Sequence, residues 1–176
     1  AGKVLYLGAS SMFAWQFATA QHVAERHGWT RFVSMQNHYN LLYREEEREM
    51  IPQCIDTGVG VIPWSPLARG TLTRRPGEAA TKRAETDKFT PILYTNPADD
   101  AVVSRLADVA EARGVPIAQV ALAWLLQRPG VTAPIVGATK VGHLTDALAA
   151  ESLALTADEV SLLAEPYVPH AVAGHA

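Results

Sequence analysis

Four short apolar runs recur along this chain, each closed by small or polar residues and followed by a stretch with helical spacing. No other feature restricts the fold as much. Short buried strands alternating with helices pair in parallel through right-handed crossovers, so the pattern predicts an α/β fold. The runs are residues 3–9 (KVLYLGA), 31–36 (RFVSMQ), 59–62 (VGVI) and 133–136 (APIV). Helical patterns are predicted over 13–27, with Phe13, Phe17, Ala20 and Ala24 on one face, and over 45–55. Two helices stand between the third and fourth runs. One covers 98–113 and stops at Gly114, and the other starts with Pro116 in its first turn. A helix over 143–150 follows the fourth run, and Thr156-Ala157-Asp158-Glu159 has the pattern of a capping box opening a last helix.

The segments between are as informative. Residues 71–97 read as one long loop carrying Arg74, Arg75, Lys82, Arg83 and Lys88, a solvated basic stretch rather than a binding patch. Residues 166–176 read as an irregular tail. The whole chain, 1–176, is the size of one domain. A formal charge of −3 gives no reason to expect nucleic acid, and the longest apolar runs are too short to span a membrane. The opening Ala1-Gly2-Lys3-Val4 is not a signal peptide. Cys54 is the single cysteine, which excludes an intramolecular disulfide, suits a core position and points to the cytoplasm. His170 and His175 are too few and too loosely spaced for a metal site.

In parallel α/β folds ligands gather at the C-terminal ends of the strands. Here those ends bring Ser10-Ser11, Gln36-Asn37, Trp64-Ser65-Pro66 and Gly137-Ala138-Thr139-Lys140 to one rim, a setting for a polar, phosphorylated ligand. No Walker phosphate loop occurs. Gly58-Val59-Gly60 precedes a strand and lacks a third glycine, so it is no dinucleotide fingerprint. His38 lies near the rim, where it reads equally as a substrate contact or as packing.

Four stretches carry a more specific resemblance. They are Gly2-Lys3-Val4-Leu5-Tyr6-Leu7-Gly8-Ala9-Ser10-Ser11, Met35-Gln36-Asn37-His38-Tyr39-Asn40-Leu41-Leu42-Tyr43-Arg44, Pro63-Trp64-Ser65-Pro66-Leu67-Ala68-Arg69-Gly70, and Ile135-Val136-Gly137-Ala138-Thr139-Lys140 with His143-Leu144-Thr145-Asp146. In this order and at these intervals the chain resembles the C-terminal half of the aldo-keto reductases, NADPH-dependent (β/α)8-barrel (TIM-barrel type) oxidoreductases. The resemblance implies strands five to eight with their helices, a half-barrel. It implies NADP as cofactor and a small-molecule carbonyl substrate. It also implies a partner, either the N-terminal half of the barrel or a second copy.

The resemblance further implies a site. Ser10, Ser11 and Gln36 would bond the nicotinamide carboxamide, although many members have Asn where Ser11 stands. Trp64 would stack on the nicotinamide. Ser65, Leu67 and Gly70 would hold the pyrophosphate by backbone N–H groups, with Arg69 nearby. Gly137, Ala138, Thr139, Lys140 and His143 would line the adenosine 2′-phosphate pocket, although Lys140 and His143 read equally as solvated surface residues. Asp146 would face the adenine, and Ala147 stands where Asn is frequent. The family's catalytic Asp, Tyr, Lys and His belong to strands two to four, so no catalytic residue is assigned here and the chain alone is expected to be inactive. The abrupt start within a strand's lead-in is expected of a fragment. A non-catalytic nucleotide-binding or oligomerisation half-barrel is the alternative. In either case the runs near 4–7 and 133–136 would be open edges, their apolar side chains facing an unfilled cavity.

Overall fold

A computed structural model describes residues 2–78 and 87–174. Lys82, Arg83 and His175 of the sequence reading lie outside the described residues. Three strands, β1 (Leu7–Ser10), β2 (Phe32–Gln36) and β3 (Gly60–Val61), form a parallel sheet in the order β1-β2-β3. Ala9 pairs with Met35 and Ser10 with Gln36, and Met35 pairs in turn with Val61. Between them run α1 (Ala14–Arg26) and α2 (Met50–Asp56). Phe13 opens α1, its N–H donating to Gln16 Oε1 at 3.0 Å. The helix expected over 45–55 divides into a 3-10 turn, Glu45–Glu47, and α2. Pro52 explains the break, because a proline fits only a helix's first turn.

The expected fourth strand, 133–136, is corrected to an extended segment. It begins with a parallel bridge, Val61↔Val131, and runs beside β3. Thr132 N–H donates to Val61 O at 2.8 Å, and Ile135 N–H to Pro63 O at 2.8 Å. Pro63 and Pro134 have no N–H to give, so a continuous ladder cannot form. The first strand is also shorter than expected, as residues 3–6 lie outside β1.

The side chains divide by period two along each strand. Ala9, Met35 and Val61 point to α1 and α2 and join Phe17, Met50, Cys54 and Val59 in one apolar cluster. The opposite face carries Gly8, Ser34 and Gly60 in register, with Thr132 alongside. A Cβ on Gly8 would stand 2.5 Å from Ser34 Oγ, and one on Gly60 2.8 Å from Thr132 Oγ1, so a side chain at either position would force those hydroxyls to move. The expected apolar inner face is thus corrected: at Gly8, Ser34 and Gly60 it is small and polar, because Ala9, Met35 and Val61 turn to the helices.

The 71–97 loop is corrected as well. Short 3-10 turns within Ala68–Thr73, broken by a kink at Arg69 and Gly70, overlap its start, and a short helix, α3 (Thr90–Leu93), leads to the partly buried Tyr94. Then come α4 (Asp99–Arg113), ended by Gly114 in the left-handed conformation, α5 (Ile117–Leu126), α6 (Val141–Ala149) and α7 (Ala157–Ala164). The capping box forms as read: Glu159 N–H donates to Thr156 Oγ1 at 3.2 Å, and Thr156 N–H to Glu159 Oε2 at 2.7 Å. α4 and α5 supply most of the main core, around Leu106, Val120, Trp124 and Leu125, together with Tyr39, Leu41, Leu42 and Leu72. Among the described residues no single helix is long and apolar enough to cross a membrane.

The tail is irregular but tied down. Tyr167 Oη–H and His170 N–H both donate to Glu45 Oε1 at 2.8 Å. Tyr43 Oη donates to Ala173 O at 3.1 Å and accepts from Ala173 N–H at 3.0 Å. His170 Nε2 lies 2.9 Å from Asp99 Oδ1.

Candidate functional site

The ends of β1, β2 and β3 converge as the parallel register requires. Ser10 Oγ and Ser11 N–H both donate to Gln36 O at 3.0 Å. Trp64 N–H donates to Asn37 O at 2.9 Å, and its indole Nε1–H to Ser11 Oγ at 2.9 Å. Ser10, Ser11, Gln36 and Trp64 are therefore brought together, with Ser11 fixing the indole edge.

Behind Trp64 is a stack of rings. His38 lies face to face with Trp64, centroids 4.2 Å apart and planes 12° apart. On its other side Tyr43 repeats the arrangement at 4.2 Å and 10°. Tyr94 Oη lies 2.7 Å from His38 Nε2 and accepts from Asn40 Nδ2 at 2.9 Å. His38 is fully buried, so it packs and does not reach a substrate. Burial, aided by the nearby His170 and Arg69, lowers its imidazole to about 3. It is neutral across the physiological range.

After Trp64 the backbone turns through four left-handed residues, Ser65 (φ 51°) and then Ala68 (φ 45°), Arg69 (φ 56°) and Gly70 (φ 104°). Three of these are not glycine, and such a conformation is held only where the surroundings fix it, often around a bound ligand. Gly70 N–H is used internally, donating to Leu67 O at 2.9 Å. The Ser65 and Leu67 N–H groups have no acceptor among the described residues. Arg69 is occupied: its Nε–H donates to Asp87 Oδ2 at 2.5 Å, and its guanidinium lies over Phe89. That bond holds the Asp87 carboxyl far below its ordinary range.

The third group lies at the start of α6. Gly137, Ala138, Thr139, Lys140 and His143 are exposed there, with Thr139 Oγ1 3.5 Å from His143 Nδ1. Asp146 is turned to α5, where Gln119 Nε2 donates to it at 3.2 Å.

Sequence reasoning missed Tyr43, Asn40, Tyr94 and the tail. A cleft of about 370 Å³ lies next to the ring stack, lined by Met12, Phe13, Tyr43, Glu46, Met50 and Val172 among others. Burial raises the Glu46 carboxyl to about 7; the nearby Asn37 amide opposes this, and Glu45 adds to it. Glu45 itself is lowered. Burial works against that, but bonds from Arg48, His170 N–H and Tyr167 outweigh it. The tyrosines at the site go the wrong way for an acid: burial pushes Tyr43 up to about 12 and raises Tyr94 further. Among the described residues no His, Cys, Asp or Glu group is arranged to hold a metal.

The model of the Aldo/keto reductase family matches residues 1–167. The chain is 51% identical over 177 aligned residues to aldo-keto reductase dtxS3 of Metarhizium robertsii, covering 99% of this chain and 47% of that protein. It is 47% identical to versiconal hemiacetal acetate reductase of Aspergillus parasiticus, covering 97% and 50%. To aldo-keto reductase AMT2 of Alternaria alternata it is 51% identical, covering 98% and 47%. The chain spans about half the length of the curated relatives it matches.

Proposed function

The chain belongs to the aldo/keto reductase family, and we propose that it is the cofactor-binding half of an NADP-dependent member that reduces aldehydes or ketones. The reading rests on one observation above all: Trp64 is a half-buried indole fixed at its edge by Ser11 and backed on one face by His38. A flat ring held on two sides is what a nicotinamide needs to present one face to substrate.

The residues fit the cofactor. Ser10 and Gln36 stand beside the indole edge, suited to a carboxamide. The Ser65 and Leu67 N–H groups, without an acceptor among the described residues, lie at the start of the turn that carries the left-handed Ala68, Arg69 and Gly70, an arrangement of backbone donors that suits a pyrophosphate. Thr139, Lys140 and His143 lie together at the start of α6, where a hydroxyl, a cation and the helix end favour a 2′-phosphate. The nicotinamide supplies the hydride when bound. This chain's residues bind it, orient it and set which face is free.

The proton for the carbonyl oxygen must come from elsewhere. Tyr43 and Tyr94 both have raised phenol pKa values, whereas a tyrosine acid working near neutrality needs a lowered one. We assign that role to the half of the barrel that this chain does not span. The exposed apolar residues support a missing half. Two groups hold the most exposed of them: Leu5 (82%) and Tyr6 (75%) before β1, and Val141 (83%) with Leu144 and Leu148 on one stripe of α6, while others such as Trp15 and Ile92 lie elsewhere on the surface. A barrel closing through strands one to four would cover both.

Titrating the full-length protein with NADPH, and following tryptophan fluorescence, tests this. NADPH is expected to quench the wild type, and Trp64→Ala to weaken binding about fivefold, the worth of an aromatic stack. Equal binding by both proteins would remove Trp64 from the site.

A further inference from the structure

The reading above uses His38 only as a backing for the platform and leaves its own chemistry unexplained. His38 is a fully buried histidine between two aromatic planes, 4.2 Å from each, in a core that would accept a phenylalanine at lower polar cost. What distinguishes the imidazole is its edge. Nε2 meets Tyr94 Oη at 2.7 Å, and that contact fixes the rotation of the ring about its own axis. Tyr94 is fixed in turn by Asn40, whose Nδ2 donates both to Tyr94 Oη and to Ser65 O at 2.9 Å. Asn40 Oδ1 accepts from Leu42 N–H at 2.9 Å and Tyr43 N–H at 3.0 Å. One amide therefore ties the pin of the stack, the back ring of the stack and the residue that follows Trp64.

We propose that His38 is the positioning residue of the cofactor platform: pinned by Tyr94 and backed by Tyr43, it sets the plane of the Trp64 ring and so the tilt of the nicotinamide. This rests on the reading of Trp64 as the nicotinamide platform. Ser11 holds one edge of the indole, and His38 stacks against its rear face, so the ring is restrained at both. A neutral imidazole suits the task, because a charge appearing behind the indole would change the stack with pH. Burial, aided by the nearby His170 and Arg69, keeps that charge away.

Two ligands separate positioning from simple core packing. NADPH uses the platform, whereas adenosine 2′,5′-bisphosphate carries the same phosphate and adenine without a nicotinamide. In the full-length protein, His38→Ala is expected to weaken NADPH about fivefold, with the bisphosphate bound as tightly as by the wild type. Tyr94→Phe, which removes one hydroxyl and leaves the packing, is expected to act in the same direction by a smaller factor. Unchanged NADPH binding in both variants would overturn the proposal, and so would equal weakening of both ligands. Trp64→Ala run in parallel keeps the two readings apart. If it leaves NADPH binding untouched, the platform itself is wrong; if it weakens NADPH while His38→Ala and Tyr94→Phe do not, only the role of His38 fails.

Discussion

The indole N–H of Trp64 donates to Ser11 Oγ at 2.9 Å, joining residues 53 apart in sequence at the ends of two different strands. Ser11 thus acts on the ring as well as standing where a carboxamide ligand is expected. Ser11→Ala is expected to free the indole edge at a cost of about 1 kcal/mol, the usual worth of one hydrogen bond. NADPH affinity should fall about fivefold, with a red-shifted tryptophan emission as the ring loosens. Ser11→Asn, which restores an acceptor, should recover most of the loss. No change in either signal for Ser11→Ala would mean that the bond does not hold the ring.

Lys140 tests the phosphate end. It is exposed beside Thr139 and His143, so its contact with a 2′-phosphate is partly screened by solvent. Lys140→Glu is expected to narrow the preference for NADPH over NADH by about tenfold, read as a ratio of dissociation constants. An unaltered ratio would take Lys140 out of the site.

Among the groups that set the pH dependence of stability, Glu46 and His38 act in opposite directions. Glu46, raised to about 7, is protonated in the folded protein at pH values where the unfolded chain is ionised. Its contribution is fully present below the unfolded value near 4.5 and is lost as pH rises to 7. His38, lowered to about 3, works in reverse: its contribution is present above its ordinary 6.5 and is lost as pH falls towards 3. Glu46→Gln should remove only the first effect. The variant is expected to melt higher than the wild type at pH 8, by a stability difference of about 2–3 kcal/mol, and to converge with it near pH 4.5. Parallel melting curves against pH would contradict the buried, raised carboxyl.

Much of the fold could be read because it follows from periodicity. The strand–helix alternation, Gly114 as a helix stop and the Thr156 capping box all follow local rules, and all form. The fourth strand failed because Pro63 and Pro134 remove the donors that a ladder requires, although their neighbours are apolar enough for a strand. The site divides in the same way. Ser10, Ser11, Gln36 and Trp64 lie at strand ends and converge. Tyr94 was invisible: it sits in a stretch rich in Thr, Asn and Pro, and its partner His38 is 56 residues away. The tail reads as irregular because it has no periodicity, and irregularity says nothing about order. Its order comes from Glu45, Tyr43 and Asp99, which only the folded chain brings to it.

The tail offers its own test. Glu45 accepts from Tyr167 and His170 N–H as well as from Arg48. Glu45→Ala is expected to leave those donors unpaired, lowering stability by about 2–3 kcal/mol. Amide hydrogen exchange at 167–174 should rise well above that of α4. Unchanged protection across the tail would mean that its anchoring lies elsewhere.

Sedimentation of the isolated chain tests the half-barrel most directly. Leu5, Tyr6, Val141 and Leu148 are exposed at the two ends of the sheet, and burying such side chains is worth roughly 1.5–3 kcal/mol each. Alone at micromolar concentration, the chain is expected to form a dimer or larger species through those ends. Mixed with strands one to four of the barrel supplied as a separate polypeptide, it should form a one-to-one complex that binds NADPH. A compact, stable monomer that ignores the other half would contradict the half-barrel reading.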